Sequence, residues 1–437
     1  MNLEAYLKDV ILNKKVLILG FGREGRSTYK FLKKIGGYSS LAVADLNPVE
    51  DINEVVHFGC DYQKAIPEYD LVFKSPGVVL DRPEYGQKII SQTDVIIDCF
   101  KQSMIGITGT KGKSTTTSLI YHVLEYANKK PVLMGNIGIP AFDAAEKLGE
   151  DSIIVYELSC HQLEYAKQSP HRGVLLNIFP EHLDHYGSFE RYKAAKENIY
   201  KNMTENDFLV CGYDFLPKDL KCSCVSVSMN KDDNADYTAY DEDVFDKAKG
   251  AYYKPDCSLF GIHNMHNIAV AFAVCNDCGV KCDEFFEALH TYKPLAHRLE
   301  LFATIDDVQY FDDSISTIPE TAIKAMSSIK NVGTIILGGM DRGIELDSLC
   351  DYLIKNPIEN VILMPDTGKT IFEKLSGKYK YNLYETNGLA EAASLAKKVT
   401  KPGTACVLSP AAASYGFFKN FEERGDCFKK EICSDKT

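Results

Sequence analysis

The chain lacks an excess of positive charge. Its 49 Lys+Arg face 61 Asp+Glu, for a formal net charge of -12. A broad grip on nucleic acid or on an anionic membrane face needs the opposite sign, so neither is expected as a partner. No apolar run comes near the ~18 residues that a spanning helix requires. The opening segment MNLEAYLKDVILNKK is interrupted by acids and has no apolar core, so no export leader is expected. No sequence repeat of fixed period is visible. The 14 cysteines are scattered through apolar runs, as at Cys99, Cys211 and Cys406, and do not form a dense framework. Reduced thiols in a cytoplasmic protein are the expectation. Cys275, Cys278 and Cys282 alone have metal-like spacing, but no matching Cys/His pair follows. They end the Ala-rich run IAVAFAVCNDCG and are expected as core cysteines.

What is present is ordinary globular material, 45% apolar and 25% charged over 437 residues. That length suggests about three domains. Short β-branched runs alternate with amphipathic stretches, the pattern of an α/β protein with parallel sheets. The strands expected are KVLILG, SLAVAD and DLVFKSPG, then SMIGITG, KPVLMG, SIIVYEL and RGVLLNIF, then TIILGG, NVILMP and TACVLSP. Boundaries are expected near Ser91–Lys101 and near Tyr292–Arg298. The polar, weakly periodic stretch from Asp214 to Asp256 reads as an insertion or a small peripheral sheet.

The sharpest motif is GITGTKGKSTT, Gly106 to Thr116, between an expected strand and an expected helix. A glycine-rich turn there aims backbone N–H groups at an anion, and the helix N-terminus adds partial positive charge. Lys113 is placed to reach the β/γ-phosphates, and Ser114 or Thr115 to ligate Mg²⁺. A second G-K-T at Gly368–Thr370 has Leu363 where such a loop needs its first glycine, and reads as a helix start. Glu157, ending the strand IIVYEL, is where an acid can face a metal beside the loop. Glu181, His182, Asp184 and His185 follow another strand, and side chains of this kind can complete a Mg²⁺ or Mn²⁺ shell.

GFGREG, Gly20 to Gly25, follows the first strand and opens a helix, with Asp45 twenty residues after Gly25. The glycines Gly20, Gly22 and Gly25 suit a tight turn around a pyrophosphate, and Asp45 suits a ribose hydroxyl. Ser75, Pro76 and Gly77 form a turn that could line the same pyrophosphate. Alone, this fingerprint favours NAD. A separate triphosphate loop downstream shifts the reading to another nucleotide diphosphate, UDP-sugars included.

The order of these elements resembles the Mur ligase family, which builds the peptide of bacterial cell walls. The motifs that carry the resemblance are GITGTKGKST, GNIG (Gly135–Gly138), ELSCHQLE (Glu157–Glu164), NIFPEHLDHY, YKAAKENIY (Tyr192–Tyr200), GIHNMHN (Gly261–Asn267), HRLE (His297–Glu300), DDS (Asp312–Ser314) and LSPAAASYGFFKNFEERG. The resemblance implies three α/β domains. Residues 1–96 would form a Rossmann-like domain for the UDP substrate and 97–296 a central P-loop ATPase-type parallel sheet. Residues 297–437 would form a C-terminal Rossmann-like domain for glutamate. The implied reaction is ATP-dependent ligation of D-glutamate to UDP-N-acetylmuramoyl-L-alanine through an acyl phosphate, in peptidoglycan precursor synthesis.

By the same resemblance, Gly109, Thr110, Lys111, Gly112, Lys113, Ser114 and Thr115 cradle ATP. Asn264, Asn267, His297, Arg298 and Asp313 match the adenosine side. Ser114 or Thr115, Glu157 and His182 face the metals, which number two, and Lys196 matches a lysine that is carbamylated to hold the second Mg²⁺. Mn²⁺ is an expected substitute. Asn136, Ser159 and Gln162 lie near the muramoyl-alanine part. Ser414 and Phe421 match the glutamate pocket. The chemistry agrees, because a carboxylate must be activated before an amine can displace at it, and the crowded anions need cations and helix N-termini. A monomer is expected.

Two positions depart from the family pattern. DSISTIP carries Ile315 where a lysine is usual, and GGMDRG carries Arg342 in place of another. Arg342 could hold the amino acid's carboxylate bidentately, with Ser316 or Thr317 as donors. This form resembles one in relatives that add L-glutamate and one shared by D-glutamate adders, so both acceptors stay open. A folylpolyglutamate-type ligase is disfavoured by GFGREG ahead of the phosphate loop. An NAD-dependent oxidoreductase and a non-catalytic nucleotide sensor are the readings from other classes.

Overall fold

The computed structural model describes residues 2–434 except 138, 241, 258 and 260. Gly138, the last glycine of GNIG, thus lies outside the described residues. Residues 1–256 with 263–291 form one compact unit, and 257–262 with 292–437 form a second.

The first unit holds two sheets. In one, β1 (Lys15–Leu19), β2 (Ser40–Asp45), β3 (Val55–Phe58), β4 (Leu71–Lys74) and β5 (Ile89–Ile90) run in the order β3-β2-β1-β4-β5. All are parallel. The chain reverses its direction of travel across the sheet between β1 and β4, and ligands gather at the carboxyl ends of strands beside such a switch. GFGREG and Ser75–Gly77 both emerge there.

The other sheet contains β6 (Met104–Thr108), β7 (Pro131–Gly135), β8 (Ile153–Glu157), β9 (Arg172–Leu175), β10 (Phe208–Gly212), β11 (Ser223–Ser228), β12 (Tyr237–Tyr240), β13 (Asp243–Asp246) and β14 (Ala251–Tyr253). Their order is β14-β13-β12-β11-β10-β9-β6-β8-β7. Every residue of β6 is buried, as expected for a central parallel strand covered on both faces. The stretch 214–256 is no separate appendage. It adds β11 and β12 in parallel to β10, then an antiparallel hairpin, β13–β14, at the edge. β12 to β14 are only three or four residues long, and β11 mixes serine with apolar residues, which hid their period from the sequence.

The helix Gln92–Phe100, opened by a Ser91–Asp94 capping box, joins the two sheets. Gln92 donates to Thr28 Oγ1 at 2.9 Å and accepts from Phe142 N at 3.1 Å, and Thr93 meets Tyr156 OH at 3.2 Å. One apolar core runs from Ile18 and Phe73 through Phe142 to Tyr156 and Ile199. The expected boundary near residues 91–101 is therefore a packed seam.

In the second unit, β15 (Glu300–Ile305), β16 (Val308–Asp312), β17 (Val332–Gly339), β18 (Asn360–Asp366), β19 (Asn382–Glu385) and β20 (Ala405–Leu408) lie in the order β15-β16-β20-β17-β18-β19. Only the β15–β16 pair is antiparallel. Two apolar clusters, one around Phe311, Ile335 and Leu353 and one around Ile336, Ile362 and Phe428, cover its faces. Gly368–Thr370 lies inside the helix Thr367–Leu375, as the missing glycine required. Cys275 is fully buried in the helix Ile262–Asp277. No helix among the described residues is long and apolar enough to cross a membrane.

Candidate active site

The phosphate loop leaves β6 and enters the helix Lys113–Tyr126 through Gly112, whose φ of +89° lies in the left-handed region. A side chain there would be strained, and its Cβ would sit 2.6 Å from Asn267 Oδ1. Gly109 is equally tight, since a Cβ would meet Leu176 at 2.8 Å. The segment just past β9 supplies the brace. Thr110 N donates to Asn177 O at 2.9 Å, Lys111 N to Asn177 Oδ1 at 2.8 Å, and Asn177 Nδ2 to Lys111 O at 3.0 Å. Thr110 Oγ1 also meets Tyr192 OH at 2.8 Å. Asn177 and Tyr192 belong to motifs that were noted without a role for either residue. The usable signal for Asn177 was a polar residue just past the carboxyl end of an apolar strand.

Two lysines close on one carbonyl. Lys113 Nζ donates to Gly109 O at 2.8 Å and Thr110 O at 3.0 Å, while Lys196 Nζ donates to Gly109 O at 2.8 Å. Lys196 is only 1% exposed, on the helix Phe189–Glu197, with its ammonium 5.0 Å from the Tyr192 ring. Burial, then the charge of Lys113, pulls its pKa down to about 7. Burial also lowers Lys113, against the pull of Glu157. Glu157 ends β8 and is fully buried. Asn136 Nδ2 donates to its Oε1 at 2.7 Å, while Oε2 has no hydrogen-bond partner. A buried carboxylate oxygen left bare costs free energy, and an ion or ligand donor would relieve it. Ser114 is half-buried and Thr115 buried in the first helical turn. His182 sits in the left-handed region, with its ring 5.0 Å from His161 and 6.2 Å from Tyr192. Burial lowers its pKa. Asn264 and Asn267 are both buried and joined by a 3.1 Å hydrogen bond.

Beside this loop, a cavity of about 210 Å³ is lined by Arg23, Glu24, Pro76, Asn136, Ser159 and Gln162, among others. The expected residues Pro76, Asn136, Ser159 and Gln162 thus share one space. Ser159 and Gln162 form a capping box at the short helix Cys160–Leu163. The glycine turn divides its labour. Gly25 lets the helix pack, since a Cβ would fall 2.0 Å from Gly20 O, whereas nothing lies within 4 Å of one added at Gly22 or Gly77. Asp45 and Ser75 turn inward. Asp45 accepts from Phe21 N at 2.7 Å and from Asn47 N at 2.9 Å, and Ser75 Oγ donates to Gly20 O at 2.7 Å. Both hold the turn's shape.

In the second unit, His297 Nδ1 lies 2.7 Å from Asp312 Oδ2, and this pairing raises the His297 pKa. Asp313 accepts from Leu299 N at 3.1 Å and Ser409 Oγ at 2.7 Å, and burial pushes its carboxyl up to about 6. Arg298 Nε is buried without a partner. Among the described residues, one group of metal-type ligands converges, His297, Glu300 and Asp312. Lys429 Nζ already supplies positive charge there, 2.5 Å from Glu300 and 3.6 Å from Asp312. Ser414 lines a cavity of about 160 Å³ with Gly339, Leu389, Phe417 and Phe418. Phe421 is not part of that lining and packs edge-on to His297 at 6.2 Å. Thr317 is half-buried ahead of the helix Pro319–Ser328, and Arg342 is exposed.

Comparison with known proteins bears on both units. The Mur ligase middle domain profile matches residues 107–275. UDP-N-acetylmuramoylalanine–D-glutamate ligase of Clostridioides difficile (strain 630) is 33% identical over 96% of this chain and 98% of its own length. The ligase of the same name from Streptococcus thermophilus (strain ATCC BAA-491 / LMD-9) is 31% identical over 95% and 96%. Among solved structures, UDP-N-acetylmuramate-alanine ligase MurC from Thermotoga maritima has a TM-score of 0.60 at 21% identity, covering 97% of this chain and 100% of that one. MurF ligase from Thermotoga maritima in complex with ADP has a TM-score of 0.59 at 17% identity, covering 97% and 96%. The similarity runs through the glycine turn, the phosphate loop and the second unit alike, and the chain belongs to the Mur ligase family.

Proposed function

We infer that this chain is an ATP-dependent ligase that joins D-glutamate to UDP-N-acetylmuramoyl-L-alanine, a step of peptidoglycan precursor synthesis, with release of ADP and phosphate. The bare Oε2 of Glu157, near the buried Lys196 and the half-buried Lys113, carries the reading. That arrangement suits a triphosphate with its metal and has no use in hydride transfer, so the NAD reading of GFGREG gives way to a UDP-sugar. Glu157 with Ser114 or Thr115, His182 and a carbamylated Lys196 would hold two Mg²⁺, with Mn²⁺ as a substitute. Bound there, the metal would neutralise charge on the transferring phosphoryl group.

The remaining work falls to the chain. Lys113 leaves the Gly109 carbonyl to pair with the terminal phosphate. The loop's N–H groups, shaped by Asn177, hold the phosphates in line with the substrate's carboxylate. The carboxylate takes the γ-phosphoryl group, glutamate's amine attacks the acyl carbonyl, and phosphate departs. Asn264, Asn267, His297, Arg298 and Asp313 are assigned to the adenosine side of the nucleotide. Thr317, Arg342, Ser414 and Phe421 are assigned to glutamate. The three sheets support domains at 1–96, 97–296 and 297–437. A cytoplasmic monomer completes the reading.

The test is phosphate release with each substrate omitted in turn, and with D- and L-glutamate side by side. Release is expected to require ATP, the UDP-sugar and D-glutamate together. Turnover without the UDP-sugar or glutamate would remove the ligase assignment, and preference for L-glutamate would revise the acceptor.

A further inference from the structure

The cavity next to the glycine turn contains a carboxylate that the reading above leaves without work. Glu24 lies in the first turn of the helix Arg23–Ile35, half-buried, and lines the cavity with Pro76, Asn136, Ser159 and Gln162. Its position is held from several sides. Gln162 Oε1 accepts from Ser159 N at 3.0 Å and Ser159 Oγ at 3.1 Å, which turns the amide nitrogen toward Glu24, and that nitrogen donates to the carboxylate. Lys74, 3% exposed at its side chain, contributes the neighbouring positive charge. Lys74 is itself tied to Ser75 O at 3.4 Å, to Pro76 O at 3.3 Å and to Glu164 at 3.9 Å.

One amide and one lysine do not replace the water removed from this carboxylate. Burial pushes its pKa up to about 7 despite both. An ionised carboxylate offers about four acceptor positions, so most of them remain for whatever enters the cavity. A nucleotide sugar brings two kinds of polar group. Its pyrophosphate and carboxylate oxygens only accept, and against Glu24 they would repel. Its hydroxyls and its acetamido N–H donate. A Cβ added at Gly22 would meet nothing within 4 Å, so the backbone at this helix start is open to a pyrophosphate, and the sugar ring is the next group along such a ligand.

We propose that Glu24 is a specificity-determining residue that accepts a hydrogen bond from a donor on the sugar ring, a hydroxyl or the acetamido N–H, so that the cavity separates a glycosylated nucleotide diphosphate from the bare one. This rests on the assignment of the cavity to a UDP-sugar. Lys74 and Gln162 keep the acceptor in place, and Asn136 and Ser159 remain for the part of the substrate beyond the ring.

The experiment is calorimetric titration of the full chain with UDP and with UDP-N-acetylmuramoyl-L-alanine, for the wild type, Glu24→Met and Glu24→Gln. Glu24→Met is expected to weaken the sugar nucleotide by about 10- to 100-fold while UDP affinity stays within about twofold. The UDP measurement shows that the pocket still folds. Glu24→Gln, which keeps one acceptor oxygen, is expected to fall between. Equal losses for both ligands, or unchanged affinity for both in Glu24→Met, would overturn the proposal. A wild type that binds the sugar nucleotide no better than UDP would instead remove the assignment of the cavity itself.

Discussion

The phosphate loop and the GFGREG turn are built alike and charged differently. Each leaves a buried parallel strand, turns on glycine and opens a helix, whose N-terminus suits an anion. At the phosphate loop, a buried and a half-buried lysine donate to the turn's own carbonyl, and a carboxylate with one bare oxygen lies near them. At GFGREG the turn is held by Asp45 and Ser75 through backbone contacts, and the charged side chains lining the cavity are one cation and one acid, Arg23 and Glu24. The shared backbone explains why either can bind a phosphate. Under the proposed function, the side chains are what would let one also move a phosphoryl group. Group transfer needs cations that follow charge as it develops, whereas holding a ligand needs only shape and a few fixed dipoles.

The sharpest way to break this comparison is at its lysine. Lys113→Ala is expected to reduce phosphate release by at least about 10²- to 10³-fold, with UDP-sugar affinity unchanged. Equal loss of UDP-sugar affinity would mean that the two turns do not act separately. Glu157→Gln keeps an acceptor for Asn136 and removes the charge. It is expected to weaken Mn²⁺ binding by about 10- to 100-fold, read by paramagnetic resonance, and unaltered Mn²⁺ affinity would take Glu157 out of the metal shell.

The glycines sharpen the comparison within one turn. Gly25→Ala forces a Cβ onto Gly20 O and is expected to cost about 1–3 kcal/mol of stability by overpacking, measured by denaturant unfolding. Gly22→Ala, with open space around it, is expected to leave stability unchanged and to weaken only UDP binding. If both behave alike, the division of labour between packing and ligand approach is wrong.

The smallest effect concerns pH. With its pKa pulled down to about 7, the Lys196 amine is mostly neutral above that pH and mostly protonated below it. Only the neutral amine reacts with carbon dioxide to form a carbamate. Added bicarbonate is therefore expected to raise turnover a few-fold at pH 8 more than at pH 6, and Lys196→Gln is expected to abolish the response. A response of the same size at both pH values would detach it from this lysine.

The strands expected from the sequence correspond to β1, β2 and β4, to β6 through β9, and to β17, β18 and β20. They were legible because β-branched runs bounded by glycine or charge are a local signal. Strands β11 to β14 were not, because a run of three or four residues, or one as rich in serine as β11, becomes a strand only when a neighbour supplies its hydrogen bonds. Asp45 and Ser75 show the same limit at the level of side chains. Their types and spacing fit a ligand-facing role, yet their oxygens are engaged by the turn itself.

The order of residues alone settled where the backbone must turn without a Cβ and where a lysine follows such a turn, since those are properties of a few neighbouring dihedral angles. Tertiary structure decided which oxygens are left bare and which lysines lose their water. Glu157, Lys196, Glu24 and Lys74 owe their character to elements far away in the chain. Desolvation and electrostatic pairing act through space, and a sequence does not display the distances on which they depend.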